Sequence, residues 1–143
     1  MASNHKGDVP LGSLLGAGYQ AVMDYVLGRL AAEGFADVRP AYLAVFQHLD
    51  PDGTRIGELA SRARLTNQAV GYPVDSLEEL GYVERIAVPG DRRGRVVRLT
   101  AKGWEEMAAC GRGLTEIEKI WSEQLGAQRF GQLRRMLAEL HQP

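Results

Sequence analysis

Three observations predict a mainly α fold of about six helices carrying a small wing of two to three strands. Residues 54–79 hold two short helical patterns separated by a tight turn. Tyr82–Val88 and Arg95–Leu99, rich in β-branched residues, flank a Pro89-Gly90-Asp91 break as the arms of a hairpin do. Both ends of the chain carry apolar stripes at helical spacing, more than one small core can bury. The combination is a winged helix-turn-helix lobe over residues 40–103, set between terminal helices over 10–36 and 104–143. A flexible tail over 1–9 precedes this single domain.

In chain order, a long helix is expected from Pro10. Its residues Leu11, Leu15, Tyr19, Val22, Val26 and Leu30 step by three or four, a narrow seam suited to pairing with other long helices. Gly12, Gly16, Gly18 and Gly28 each weaken the isolated helix by roughly 1 kcal/mol relative to Ala, so it forms on packing. Gly34 is placed to stop it. Pro40 suits the first turn of a second helix, on which Tyr42, Val45, Phe46 and Leu49 share a face. Asp50-Pro51-Asp52-Gly53 then turns the chain.

Ile56, Leu59, Ala60 and Ala63 mark one face of a third helix and leave Arg62 and Arg64 in solvent. Thr66 is a good N-cap for a fourth, because its hydroxyl can accept from an otherwise orphaned backbone N–H. There Val70, Val74 and Leu77 recur at i, i+4 and i+7, with Thr66, Asn67, Gln68, Gly71, Tyr72 and Asp75 on another face. Asn and Gln can bond adenine through two hydrogen bonds, and a helix N-terminus favours phosphate. This polar face suits a DNA major groove, although each residue alone is as readily a solvated surface group. Gly81 ends the helix. Arg92, Arg93, Gly94 and Arg95 then fall at or beside the hairpin tip. Clustered arginines repel one another unless an anion approaches, and a narrow minor groove is such a partner. Asp91 is expected to orient Arg93 rather than touch DNA.

Past the wing, Met107, Cys110, Leu114, Ile117, Trp121 and Leu125 form a stripe fit for a bundle core or a dimer interface. Gly126 ends or bends that helix, and Phe130, Leu133, Leu137 and Leu140 repeat the pattern. Burying these surplus stripes calls for a second copy, which also supplies the two half-sites, ~34 Å apart, that successive major-groove faces demand.

The run ELASRARLTNQAV…VDSLEELGYVERIAVPGDRRGRVVRLTAKG resembles the MarR family of bacterial transcriptional regulators. It matches that family's helix-turn-helix, its LE-x-x-G-x-V-x-R exit, and its D-R-R wing followed by L-T-x-K-G. The close match covers about a third of the chain, and the helical flanks fit the family's layout. The resemblance implies a mainly helical homodimer with a wing on each protomer, bound to a pseudo-palindromic operator in double-stranded DNA. It also implies release by a small, often aromatic ligand, and a very short strand at Thr54–Ile56 pairing with the wing.

Composition bounds these readings. The chain has 17 Lys+Arg against 18 Asp+Glu, so DNA affinity must come from local charge. Between Thr54 and Thr100 eight arginines face six acids, a modest excess that favours a dimer doubling the contacts. One cysteine excludes an internal disulfide, no His/Cys cluster suggests a metal, and no cofactor is expected. No apolar run nears the ~20 residues of a membrane span. MASNHKGDV lacks a signal-peptide core, so a cytoplasmic location is expected. With no Gly-rich phosphate loop, nucleophile motif or HExxH, no catalytic residue is assigned and the chain is not read as an enzyme.

The DNA-facing set is therefore Thr66, Asn67, Gln68, Gly71 and Tyr72 on the recognition helix and Arg92, Arg93 and Arg95 on the wing. Arg62 or Arg64 is assigned to phosphate. Tyr42, Phe46 and His48 are candidates for a ligand pocket, with plain core packing as the competing role for the two aromatics. Cys110, on an apolar stripe, reads as a packing residue rather than a redox switch. Pro73 departs from the family pattern: it removes the bond from residue 73 to the Ala69 carbonyl at ~3 kcal/mol, so a kinked but continuous recognition helix is expected. A protein-interaction module on the same fold, or a ligand sensor without DNA affinity, is the alternative function.

Overall fold

The start and stop signals of the sequence set most element ends. The computed structural model describes residues 8–50, 52–91 and 94–141. Its helices are α1 Leu11–Ala32, α2 Pro40–His48, α3 Ile56–Ala63, α4 Asn67–Glu79, α5 Ala101–Leu125 and α6 Ala127–Leu140. The strands β1 Thr54–Arg55, β2 Val83–Ala87 and β3 Arg95–Leu99 form one antiparallel sheet in the order β1-β3-β2. Val83 pairs with Leu99 and Ala87 with Arg95, while Thr54 pairs with Val97. The short first strand implied by the resemblance is thus present. Gly34, Gly81 and Gly126, at the expected stops, all have positive φ. Among the described residues no helix is long and apolar enough to cross a membrane.

The core gathers around Tyr82, which is fully buried. Its ring meets Phe46 edge-on at 5.9 Å between centroids and Phe35 at 6.1 Å. Lys102 Nζ sits 4.3 Å from the ring centroid, and the hydroxyl donates to Asp37 Oδ1 at 2.5 Å. Burial first, and then the Asp37 carboxylate, push the phenol well above its ordinary value. Val26 and Leu30 of α1, Val45 of α2, Leu59 of α3, Val70, Val74 and Leu77 of α4, and Val97 of β3 complete the same cluster.

The L-T-x-K-G run does more than end the wing. Thr100 caps α5, accepting from Gly103 N–H at 3.2 Å, and its hydroxyl donates to the Gly81 carbonyl at 2.5 Å. Lys102 Nζ donates to the Leu80 carbonyl at 2.8 Å, satisfying the C-terminal end of α4. Because Thr100 is the cap, α5 begins at Ala101, three residues before the expected boundary at 104.

The two terminal stripes are covered unevenly. In α1 only Val26 and Leu30 are buried, while Leu11, Leu14, Leu15 and Tyr19 are exposed. The buried face of α5 is Gly103, Glu106, Ala109, Gly113 and Ile117, which shares only Ile117 with the expected stripe, on which Leu114 is exposed. Small residues let α1 approach closely: a Cβ on Gly113 would lie 3.6 Å from Val26 Cα. No residue of α6 is buried.

α4 is continuous through Pro73, which meets the continuity, though not by itself the kink, expected of this helix. Pro73 is buried with Val70 and Val74 and, with Ala41 and Val45 of α2 and Leu59 of α3, lines a small gap; this packing offsets the lost backbone bond.

Candidate nucleic-acid interface and adjoining cavity

The recognition helix presents what its period requires. Thr66 Oγ1 accepts from Ala69 N–H at 3.0 Å, fixing the first turn. Thr66, Asn67, Gln68 and Tyr72 are exposed, Tyr72 at 69%, and Gly71 is half-buried. The turn before the helix is made at Arg64, whose left-handed φ of 55° costs a non-glycine residue roughly 1 kcal/mol. Its side chain is exposed.

Ion pairing sorts the arginines. Arg62, one of the two assigned to phosphate, is exposed but engaged within the protein. It forks onto Asp50 at 2.9 and 3.0 Å and donates to the His48 carbonyl at 2.8 Å, clamping the end of α2 to α3. The Arg62 guanidinium holds the Asp50 carboxyl below its ordinary value. Arg85 bonds Asp75 at 2.5 Å and Glu78 at 2.8 Å, tying two carboxylates of α4 to β2. Arg98 pairs with Glu84 at 2.6 Å, and Arg55 pairs with Asp91. Arg64 and Arg95 are exposed and have no ion pair among the described residues. Arg92 and Arg93, and with them the expected Asp91–Arg93 contact, lie outside the described residues.

Sequence reasoning missed one grouping. Arg55, Arg85 and Arg95 border an open hollow of about 560 Å³ at the N-terminal end of α3, together with Ile56, Gly57 and the acidic Glu58. Arg55 and Arg85 are held by carboxylates, so of the three Arg95 is the guanidinium without an ion pair among the described residues. The three arginines are scattered along the chain, and the pairing of β3 with both β1 and β2 brings them together.

A second concavity, of about 370 Å³, lies between α1, α2 and α5. Its walls include Tyr19, Met23 and Val26 from α1, Leu43, Phe46 and Gln47 from α2, and Glu106, Met107, Cys110, Gly111 and Leu114 from α5. Of the three candidate pocket residues, Phe46 alone lines it. Tyr42 is buried in the core instead, and His48 is half-buried at the end of α2. Glu106 is wholly buried, neither carboxyl oxygen has a hydrogen-bond partner, and burial pushes the carboxyl up to about 7. The Cys110 thiol is pushed up to about 11 by burial and by Glu106, which leaves it protonated at neutral pH and supports its packing role.

This architecture defines a winged helix-turn-helix protein whose two chain ends build a helical bundle. The family model described as "MarR family" matches residues 36–94. Over 99 residues the chain is 28% identical to the exopolysaccharide II synthesis transcriptional activator ExpG of Rhizobium meliloti, covering 66% of this chain and 51% of that protein. The match thus spans about half the length of the curated relative. The transcriptional repressor CouR bound to a 23-mer DNA duplex superimposes with a TM-score of 0.73 and 27% identity, over 93% of each chain. CouR of Rhodococcus jostii RHA1 bound to p-coumaroyl-CoA superimposes with a TM-score of 0.73 and 23% identity, over 99% of this chain and 97% of that one. The family-model match falls on the winged-helix lobe, and the chain as a whole has the fold of the MarR-family regulators on which it superimposes.

Proposed function

We propose that the chain is a homodimeric, sequence-specific DNA-binding regulator of the cytoplasm, acting as a repressor and released by a small ligand. The observation that carries this reading is the state of its polar surface: Arg64, Thr66, Asn67, Gln68, Tyr72 and Arg95 are exposed, while the neighbouring arginines are tied to carboxylates. In this reading Asn67, Gln68 and Tyr72 face bases, with Thr66 and Gly71 letting the helix approach. Arg92, Arg93 and Arg95 form the wing, and Arg64 takes the phosphate role once shared with Arg62. Repression is favoured over activation because the similarity to the repressor CouR runs through 93% of both chains, whereas the activator is matched over about half its length.

Dimerisation follows from uncovered apolar surface. Leu11 is 67% exposed, Met136 55% and Leu140 71%, and a helix with no buried residue, such as α6, has little to hold it in a lone protomer. A second copy laid on α1, α5 and α6 supplies that cover and matches a pseudo-palindromic operator. The cavity beside these helices is the proposed effector site, supported by its volume, its apolar walls and the ligand held by the CouR relative.

Arg95→Ala tests the wing. Its DNA binding should be weaker, and the slope of log affinity against log salt should flatten by about 1 per contact removed. Equal affinity and slope over several salt concentrations would remove Arg95 from the interface.

A further inference from the structure

We propose that the cavity between α1, α2 and α5 selects a ligand that joins an apolar ring body to a protonated amine, with the Glu106 carboxylate as the group that holds the amine. The inference rests on the effector-site reading and adds the chemistry of the effector. A carboxyl group buried without a hydrogen-bond partner is costly, and Glu106 has none on either oxygen. Neither the Gln47 amide nor the Tyr19 hydroxyl on the same wall bonds to it. The Tyr82 hydroxyl is committed to Asp37, Lys102 is turned to the Leu80 carbonyl and the Tyr82 ring, and the Cys110 thiol is a weak donor that stays protonated. The remaining walls are apolar or neutral, Met23, Leu43, Phe46 and Met107 among them.

The wall residues include no Lys, Arg or His. An aromatic carboxylate entering this space would meet a second carboxyl group and no cation, which like-charge repulsion in a poorly solvated site opposes. An alcohol would give one donor and no charge. An ammonium group offers three donors and the opposite charge to the two orphaned oxygens, and the ring occupies the apolar remainder. The cavity therefore discriminates by charge, in the sense opposite to that of a pocket built for acids.

Three probes sharing one ring test this: tryptamine, tryptophol and indole-acetate, titrated calorimetrically into the intact protein at about pH 8. Tryptamine should bind at least about tenfold more tightly than tryptophol, with indole-acetate weakest. In Glu106→Gln, checked for its fold by circular dichroism, tryptamine should fall to within about threefold of tryptophol. Tryptamine should also bind more tightly at about pH 8 than at about pH 6, where Glu106 is mostly protonated. Indole-acetate binding as tightly as tryptamine, or a tryptamine preference that survives Glu106→Gln, overturns the amine assignment but leaves the effector site standing. Binding of none of the three overturns both.

Discussion

Gly103→Ala is expected to destabilise the fold by about 3 kcal/mol or more, a large effect for one methyl group. Gly103 is buried in the first turn of α5. A Cβ there would drive into the Tyr82 carbonyl oxygen and lie 3.0 Å from Leu99 Cδ2. That carbonyl cannot simply withdraw, because it accepts the Thr100 N–H at 3.0 Å and belongs to the residue at the centre of the core. Gly111→Ala, eight residues on in the same helix, is the control: its Cβ meets nothing within 4 Å, so helix propensity should make it neutral or stabilising by up to about 1 kcal/mol. Urea unfolding of the two variants reads the contrast directly. A Gly103→Ala loss no larger than that of Gly111→Ala would mean that α5 is not pinned to the wing through this contact.

Asn67→Ala combined with Gln68→Ala should abolish most of the preference for operator over unrelated DNA. A well-made two-bond contact contributes about 1–3 kcal/mol of discrimination, so losing two removes roughly a hundredfold or more. Both side chains are exposed on the first turn of α4, beyond the Thr66 cap, so stability should change little. The affinity for unrelated DNA, set by arginines, should be nearly unchanged. Loss of both affinities together would argue that these residues hold the helix rather than read bases.

The helix-turn-helix and wing were legible because their signals are local. Thr66 as cap, Val70, Val74 and Leu77 as buried face, Gly81 as stop and Arg95–Leu99 as return strand each need only a few neighbours in sequence, and each is found as expected. What escaped depends on residues far apart or on size rather than polarity. The ion pair of Arg62 with Asp50, twelve residues away in sequence, appears only on folding. The buried face of α5 is built on Gly103, Ala109 and Gly113, which an apolar-periodicity argument ranks below Met107 or Leu114 although close helix packing prefers them. Glu106 lies off the apolar stripe and drew no assignment, yet it is a buried carboxyl group of the cavity wall. Tyr42 and Phe46 share the face assigned to them, but only Phe46 reaches the cavity wall, a difference of one turn that no sequence period resolves.

The regulator reading meets its most direct test in an anisotropy titration of the intact protein against duplexes from the DNA flanking its own gene, with unrelated DNA in excess. The account predicts saturable binding that survives the competitor at physiological salt and reaches two chains per duplex. Binding that the competitor removes, or that is lost at physiological salt, would contradict it.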